Sequence, residues 1–181
     1  MGFVIYLVLL TVLVERLVMG FRRLKPQYCS IYDPYFGHHE RLWKMLATPP
    51  FNGTPFKSLV WRMLGVKVGK RLYDAGCNIP ETTLVSIGDD CALNEGTALQ
   101  GHSMEDGTFK SDYIAVGNRC SFGVESFVNY GAVVGDGVSL KADSLLMKGE
   151  DVPENAIYAG NPARDTTDTA RPRRLTGAAQ G

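Results

Sequence analysis

The chain has 181 residues, enough for one compact domain with appended segments. Its 19 basic and 19 acidic residues balance, so the composition indicates neither a nucleic-acid-binding surface nor an acidic disordered body. Cys29, Cys77, Cys91 and Cys120 are widely spaced, without a CxxC pair or a zinc-ligand spacing, which favours a reducing compartment.

Residues 1–25 are predicted to form a transmembrane or membrane-proximal helix. The run GFVIYLVLLTVLV at 2–14 is apolar, and LVMGF resumes it after Glu15 and Arg16. A helix carried to Phe21 spans about 29 Å, close to the roughly 30 Å hydrocarbon core of a bilayer. The basic RRLK at 22–25 then places the rest of the chain in the cytoplasm by the positive-inside rule. The alternative is an apolar helix that lies on a surface or packs on a partner.

Residues 26–53 are rich in Tyr, Trp, His and Pro, a composition typical of a linker at a membrane interface. His38 and His39 lie in this linker, and we interpret them as surface or interface residues without a catalytic role.

Residues 54–65 are predicted to form a helix that covers the start of the next segment. Thr54 suits the N-cap, Pro55 the first helical position and Gly65 the end of the helix. Helical spacing places five apolar side chains on one face, which has to be buried against adjacent structure. These five are Phe56, Leu59, Val60, Met63 and Leu64.

A six-residue repeat runs through residues 66–164. Apolar anchor residues recur at steps of six, and Gly and Asn, which tolerate left-handed turn geometry, dominate the position after each anchor. The anchors are Ile87, Leu93 and Leu99, followed by Val116, Phe122, Val128, Val134, Leu140 and Leu146. This period matches a short strand and a turn, which is the hexapeptide signature of a parallel β-helix.

Three hexapeptides complete one coil, so anchors 18 residues apart are predicted to stack in an interior ladder. The predicted pairs are Val116 on Val134, Phe122 on Leu140 and Val128 on Leu146. The predicted fold class is therefore all-β, a parallel β-helix of about four coils with a degenerate first coil from residue 66. The register also makes Cys91 and Cys120 neighbours, as two packed thiols. Residues 165–181 have little apolar content and are predicted to be a disordered tail.

The repeat is interrupted between Leu99 and Val116, which are 17 residues apart rather than a multiple of six. Glu105 and Ser111 stand at the expected anchor positions and are too polar to fill the interior. Residues 101–113 are therefore predicted to leave the coil as a loop at a corner of the β-helix, and such loops often carry function.

His102 is the single histidine of the repeat region and stands at the start of this loop. An imidazole there can act as a general base near neutral pH. Glu105 or Asp106 would accept its second N–H, and Asn94 and Lys110 are further candidates for substrate binding. An exposed loop histidine without a task is the alternative. No metal site is expected, because a zinc enzyme of this kind needs several His ligands.

The repeat, the His-bearing loop and the closing VPENAIYAGNPAR at 152–164 resemble the hexapeptide acyltransferases. The resemblance covers residues 66–164 and implies a left-handed parallel β-helix, commonly trimeric, that transfers acyl groups from coenzyme A. It also implies that His102 is the catalytic base. The turn formed by Gly160, Asn161, Pro162 and Ala163 would lie near the pantetheine arm, or would only end the β-helix.

A narrower resemblance rests on FNGTPFKSLVWRMLGVKVGKRLYDAGC, IGDDCALNEGTALQGHSMEDGTFKSD and LLMKGEDVP. These segments are similar to the C-terminal region of membrane-bound non-ribosomal peptide synthetases of the poly-lysine-synthetase type. In that family an adenylation domain and a carrier protein precede a membrane region, and the soluble domains that follow are assigned to amide-bond formation.

This resemblance implies an enzyme that joins a thioester-activated amino acid to an amine. Its donor would be a pantetheine thioester on a carrier protein, with no bound cofactor, and its partners a carrier protein or adenylation domain, the membrane, and two further copies in a trimer or pseudo-trimer, with no nucleic acid. One alternative is a coenzyme A-dependent acetyltransferase that acts on a small amine or hydroxyl. Another is a β-helix scaffold without catalysis.

Overall fold

The computed structural model describes residues 2–18, 22–33 and 48–170. The prediction for His38 and His39 falls outside these residues, as does the part of the predicted tail from residue 171 onward.

The hexapeptide repeat forms a parallel β-helix, because each anchor residue points into the interior from a strand of two or three residues and a turn follows at once. The excursion that contains His102 adds two longer strands, and the N-terminal segment adds one. The strands are β1 Gln27–Ser30, β2 Lys67–Val68, β3 Tyr73–Asp74, β4 Val85–Ile87, β5 Ala92–Leu93, β6 Ala98–Gln100, β7 His102–Glu105, β8 Thr108–Ser111, β9 Ile114–Val116, β10 Ser121–Phe122, β11 Phe127–Asn129, β12 Val133–Val134, β13 Ser139–Leu140, β14 Leu145–Leu146, β15 Asp151–Val152, β16 Ile157–Ala159 and β17 Arg164–Asp165.

Strands of successive coils pair in parallel and form three faces. The first face has the order β2-β4-β9-β12-β15, the second β3-β5-β10-β13-β16 and the third β6-β11-β14. A bridge between Asn78 and Ala98 extends the third face to the first coil. The prediction of about four coils, including a degenerate first coil that starts near residue 66, is therefore confirmed, and β15 and β16 begin a fifth.

The interior is a ladder of stacked apolar side chains. Val116 pairs with Val134, Phe122 with Leu140 and Val128 with Leu146, as the repeat predicts. All six are buried. Each such side chain contributes about 1.5–3 kcal/mol through burial, so stability accumulates from coil to coil.

Cys91 and Cys120 are neighbours in this interior, as predicted. Both thiols are free and buried. The Sγ of Cys91 donates to the Gly117 carbonyl at 3.2 Å, and the Sγ of Cys120 donates to the Gly135 carbonyl at 3.1 Å. The two side chains therefore pack as small apolar groups that also satisfy carbonyls at the corners.

The corners need close backbone approach between coils. At Gly123 a Cβ atom would lie 2.3 Å from the backbone nitrogen of Ala142 in the next coil, so a side chain does not fit there. A second corner carries a ladder of polar side chains. Asp89 accepts from the Lys70 N–H at 2.7 Å, Asn118 from the Asp89 N–H at 2.9 Å, and Asp136 from the Asn118 N–H at 2.7 Å.

Helix α2, Phe56–Leu64, covers the open end of the first coil and stops at Gly65, which has a φ of 113°. Its location and end match the prediction, but its buried face does not. Lys57, Val60, Trp61 and Leu64 are buried. Two residues of the predicted apolar face are exposed instead, Phe56 by 59% and Leu59 by 51%.

Polar partners explain the rotation of α2. The Nζ of Lys57 donates to the Thr48 carbonyl at 3.0 Å and to the side-chain oxygen of Asn52 at 2.6 Å. The indole N–H of Trp61 donates to Asp74 at 2.6 Å. These contacts satisfy side chains that would otherwise be costly to bury, and hydrophobicity alone does not reveal them.

Helix α1, Gly2–Val18, packs against α2. Val8 and Val12 join the core formed by Val60 and Trp61, and Arg16 donates to the Met63 carbonyl at 2.9 Å. In the ranges that the structure describes, no helix has the length and apolarity that crossing a bilayer requires. The transmembrane helix predicted within residues 1–25 is thus corrected to a 17-residue helix folded onto the cap.

The start of the predicted disordered tail is ordered. β17 pairs antiparallel with β16, and helix α3, Thr167–Ala170, follows. The Thr166 N–H donates to the Ile157 carbonyl at 2.7 Å, and the Ile157 N–H donates to the Thr167 hydroxyl at 2.9 Å. These residues are ordered because they use backbone groups that the last coil would otherwise leave at an open edge.

Candidate active site

The interruption of the repeat is a β-hairpin that leaves the coil between β6 and β9. Its strands β7 and β8 are antiparallel, with a turn at Asp106 and Gly107, both at positive φ. The Asp112 N–H donates to the Gly101 carbonyl at 3.1 Å and closes the base of the hairpin. The predicted excursion at 101–113 is therefore present, but as paired strands rather than as an irregular loop.

The hairpin is extended by β1, which pairs with the outer side of β8. The Gln27 N–H also donates to the hydroxyl of Ser111 at 3.1 Å. Part of the predicted linker at 26–53 therefore belongs to the sheet that carries His102.

His102 lies at the first position of β7 and is bound to a buried carboxylate. Its Nδ1 is 2.7 Å from Oε1 of Glu81, which is fully buried. The other oxygen of Glu81 accepts the Gly101 N–H at 2.9 Å. A carboxylate can only accept here, so Nδ1 carries the proton and Nε2 has the lone pair of a general base.

The imidazole ring is also held by packing. It stacks on the fully buried ring of Phe109, with 5.4 Å between centroids and 24° between planes. The His102 side chain is 14% exposed. One nitrogen is therefore fixed and the ring is clamped, which is the arrangement of a positioned base rather than of a free surface histidine.

Glu81 is the carboxylate that orients His102, whereas sequence reasoning favoured Glu105 or Asp106. In the register of the hairpin, His102 pairs with Ser111 at the base, while Glu105 pairs with Thr108 at the tip. Glu105 makes an ion pair with Lys148, and this contact lowers the pKa of the Glu105 carboxyl and raises the pKa of Lys148.

Glu81 was missed because it lies 21 residues before His102, in the preceding coil. The bridge between Asn78 and Ala98 shows that the first coil is two residues longer than the others, so Glu81 stands beside Gly101. The signal in the sequence was a carboxylate between two apolar segments, one coil before the histidine.

Of the other predicted site residues, Asn94 braces the neighbouring coil by donating to the Phe122 carbonyl at 2.6 Å. Lys110 lies on β8 with its Nζ 5.6 Å from the centre of the Tyr28 ring.

The turn from Gly160 to Ala163 lies at the other end of the third face. The Leu145 N–H donates to the Gly160 carbonyl at 2.9 Å, and the Ala163 N–H donates to the Leu145 carbonyl at 2.7 Å. This turn is three coils from β6, about 14 Å along the axis at the usual strand spacing. The structure therefore places it on the face that leads to His102, but not in contact with His102.

Two groups from later coils brace the hairpin. The hydroxyl of Ser103 donates to the Tyr130 oxygen at 3.3 Å, and the Nζ of Lys148 lies 5.8 Å from the centre of the Tyr130 ring. Within the described part of the chain, no three His, Cys, Asp or Glu side chains are grouped so that they could hold a metal ion.

Comparison with known proteins places this site in a class. No family model matches the chain. It is 35% identical over 126 residues to the Delta-poly-L-ornithine synthetase of Acinetobacter baumannii (strain AB307-0294), which covers 67% of this chain and 10% of the synthetase. It is 28% identical over 107 residues to the galactoside O-acetyltransferase of Escherichia coli (strain K12), covering 55% of this chain and 52% of that enzyme.

A solved structure of a galactoside acetyltransferase in complex with coenzyme A has the same fold, with a TM-score of 0.58. The two share 19% identity, over 77% of this chain and 84% of that one. The chain is therefore an acyltransferase of the hexapeptide-repeat type, built as a left-handed parallel β-helix. Within that class, the similarity to the poly-ornithine synthetase confirms its resemblance to the acyltransferase domain of poly-amino-acid synthetases.

Proposed function

We propose that the chain forms an amide bond, peptide or isopeptide, between a thioester-activated amino acid and an amine, as the acyl-transfer part of a non-ribosomal peptide synthetase. The observation that carries the proposal is the Glu81–His102 pair, a base with a fixed tautomer at the corner of an acyltransferase β-helix. The similarity to a synthetase that is named for a poly-amino acid supports the choice of acyl group.

In the proposed reaction, the neutral amine of the acceptor attacks the thioester carbonyl. The Nε2 of His102 takes a proton from the amine as the C–N bond forms. The C–S bond then breaks, and the departing thiolate receives the proton. Glu81 keeps Nδ1 protonated and stabilises the imidazolium that forms in between, as the carboxylate does in other His-carboxylate pairs.

The donor is a thioester of the coenzyme A type, which the neighbouring complex with coenzyme A supports. In the proposed function the same pantetheine group is attached to a carrier protein. The turn from Gly160 to Ala163 lies on the face that leads to His102, where an extended arm would run along the coils.

A coenzyme A-dependent acetyltransferase is the second candidate. The similarity to a galactoside O-acetyltransferase supports it, and it would use the same base on a small amine or hydroxyl. A β-helix scaffold without catalysis is the third, and it leaves the Glu81–His102 contact without a purpose.

The membrane and the partner proteins are further parts of the proposal. Eight apolar side chains of α1 are exposed although the helix packs on α2, which supports attachment to a membrane surface with the β-helix in the cytoplasm. They are Phe3, Ile5, Tyr6, Leu9, Leu10, Leu13, Leu17 and Val18. A carrier protein or adenylation domain would deliver the donor, and three copies or three tandem domains would complete the assembly.

A donor-competition assay tests the proposal. The purified protein is offered L-ornithine as acceptor with either L-ornithinyl-pantetheine or acetyl-coenzyme A, and products are measured by mass spectrometry. A dipeptide formed from the aminoacyl donor, with no acetylated product, is the expected result. Acetyl-ornithine without dipeptide would favour the acetyltransferase, and no product from either donor would favour the scaffold.

A further inference from the structure

A cavity of about 370 Å³ lies on the first face of the β-helix, beside the corner that carries Glu81 and His102. Its floor comes from β2, β4 and the turn before β4, and its rim from Arg23 and Leu24 of the N-terminal segment. It is lined by Arg23, Leu24, Lys67, Thr83, Leu84, Val85, Ser86 and Tyr113.

The lining is cationic and rich in hydroxyl groups. Arg23 and Lys67 contribute two positive charges, and Thr83, Ser86 and Tyr113 contribute hydroxyls. None of the described residues around this cavity carries a carboxylate. Guanidinium, ammonium and hydroxyl groups together are the donors that an anionic group of a ligand binds.

The rim is fixed in place by hydrogen bonds. The guanidinium of Arg23 donates to the Gly65 carbonyl at 3.1 Å, next to the end of α2. The Leu24 N–H donates to the hydroxyl of Thr83 at 3.0 Å, and the Leu24 side chain is buried. The N-terminal segment therefore forms a wall of the cavity that is already in position.

The cavity and the base share backbone. The 3-10 helix Thr82–Leu84 begins directly after Glu81, and the Leu84 N–H donates to the Glu81 carbonyl at 2.9 Å. On the other side, Tyr113 follows Asp112, which closes the base of the hairpin against Gly101. Both walls of the cavity thus continue into the residues that hold His102.

We infer that this cavity binds the carboxylate of the acceptor amino acid, an inference that rests on the proposed amide-forming function. A carboxylate held by Arg23 and Lys67 leaves the amine of the same molecule free to reach the corner where His102 lies. The volume suits a small molecule with one anionic group. The phosphates of the donor are the other source of negative charge, and the experiment separates the two.

The test compares an acceptor with and without its carboxylate. KM is measured for L-ornithine and for L-ornithinamide, with the donor saturating, in the wild type and in an Arg23→Gln/Lys67→Gln variant. Losing charged hydrogen bonds raises KM for L-ornithine by about tenfold or more, with kcat and the KM for L-ornithinamide nearly unchanged. Lys141→Gln, an exposed lysine of another face, is the matched control and leaves both values as they are.

Two results overturn the inference. One is an equal change of KM for L-ornithine and L-ornithinamide. The other is a rise in the KM of the donor alone, which would assign the cavity to the phosphates of the pantetheine donor.

Calorimetric titration of L-ornithine into the protein without donor separates this inference from the proposed function. Binding that the double variant loses, in a protein that forms no amide, keeps the inference and rejects the function. Absence of binding by the wild type, together with equal KM values for the two acceptors, rejects the inference even if amide formation is observed.

Discussion

At the scale of single residues, the site depends on one buried carboxylate. Glu81 binds both the imidazole of His102 and the backbone N–H of Gly101, so it fixes the ring and the start of the hairpin together. A base that is held in one tautomer reacts without first having to reorient, and this is the contribution of Glu81 to the rate.

Glu81→Gln is expected to lower kcat by about 10- to 1,000-fold with little change in KM, because the imidazolium loses its charged partner while the shape of the site is kept. Steady-state kinetics across pH 5–9 measures this, and the pH profile of kcat is expected to change as well. Glu105→Gln is the matched control, since Glu105 pairs with Lys148 instead. A larger loss of activity in Glu105→Gln than in Glu81→Gln would contradict the assignment.

At the scale of elements, the cap helix and the corners are set by polar contacts. α2 turns Lys57 and Trp61 inward because Thr48, Asn52 and Asp74 satisfy them. The coils are joined at one corner by side chains that accept backbone N–H groups of the adjacent coil. Hydrophobic periodicity places these elements, and hydrogen bonds then fix their rotation.

Val60→Ala and Leu59→Ala test the rotation of α2. Val60 is 4% exposed and Leu59 is 51% exposed. Val60→Ala is expected to lower the free energy of unfolding by about 1–3 kcal/mol and Leu59→Ala by less than about 0.5 kcal/mol, measured by denaturant titration. Equal losses would instead support the face predicted from the sequence.

The corner ladder predicts a pH dependence of stability. Hydrogen bonds from the backbone N–H and side chain of Asn118 lower the pKa of the Asp136 carboxyl in the folded protein. A lowered pKa contributes stability above the unfolded pKa of about 3.9, and that contribution is lost as the pH falls through the folded value. The stability advantage of the wild type over Asp136→Asn should therefore shrink between pH 5 and pH 3. Denaturant titrations of both proteins at each pH measure it, and a constant difference would contradict the account.

At the scale of the whole molecule, the repeat could be predicted because it is local. A strand and a turn recur every six residues, so the stacking of Val116 on Val134 and of Phe122 on Leu140 follows from counting. The interruption and its histidine are visible for the same reason.

The contacts that complete the site join distant parts of the chain, and no period marks them. Glu81 meets His102 across one coil, and β1 meets β8 across more than 80 residues. The cavity beside the site is closed by Arg23 and Leu24, which the sequence assigned to a membrane segment. α1 folds onto the cap because Val8 and Arg16 find partners in α2, whereas its composition alone predicted a transmembrane helix.

The central claim is that this β-helix catalyses acyl transfer with His102 as the base. The most direct test is the rate of aminoacyl transfer by His102→Ala, next to the wild type, with folding checked by circular dichroism and thermal unfolding. The account predicts a loss of about 100-fold or more in kcat in a protein that remains folded, because the group that removes the proton of the amine is gone. Unchanged transfer by a folded His102→Ala protein would contradict it.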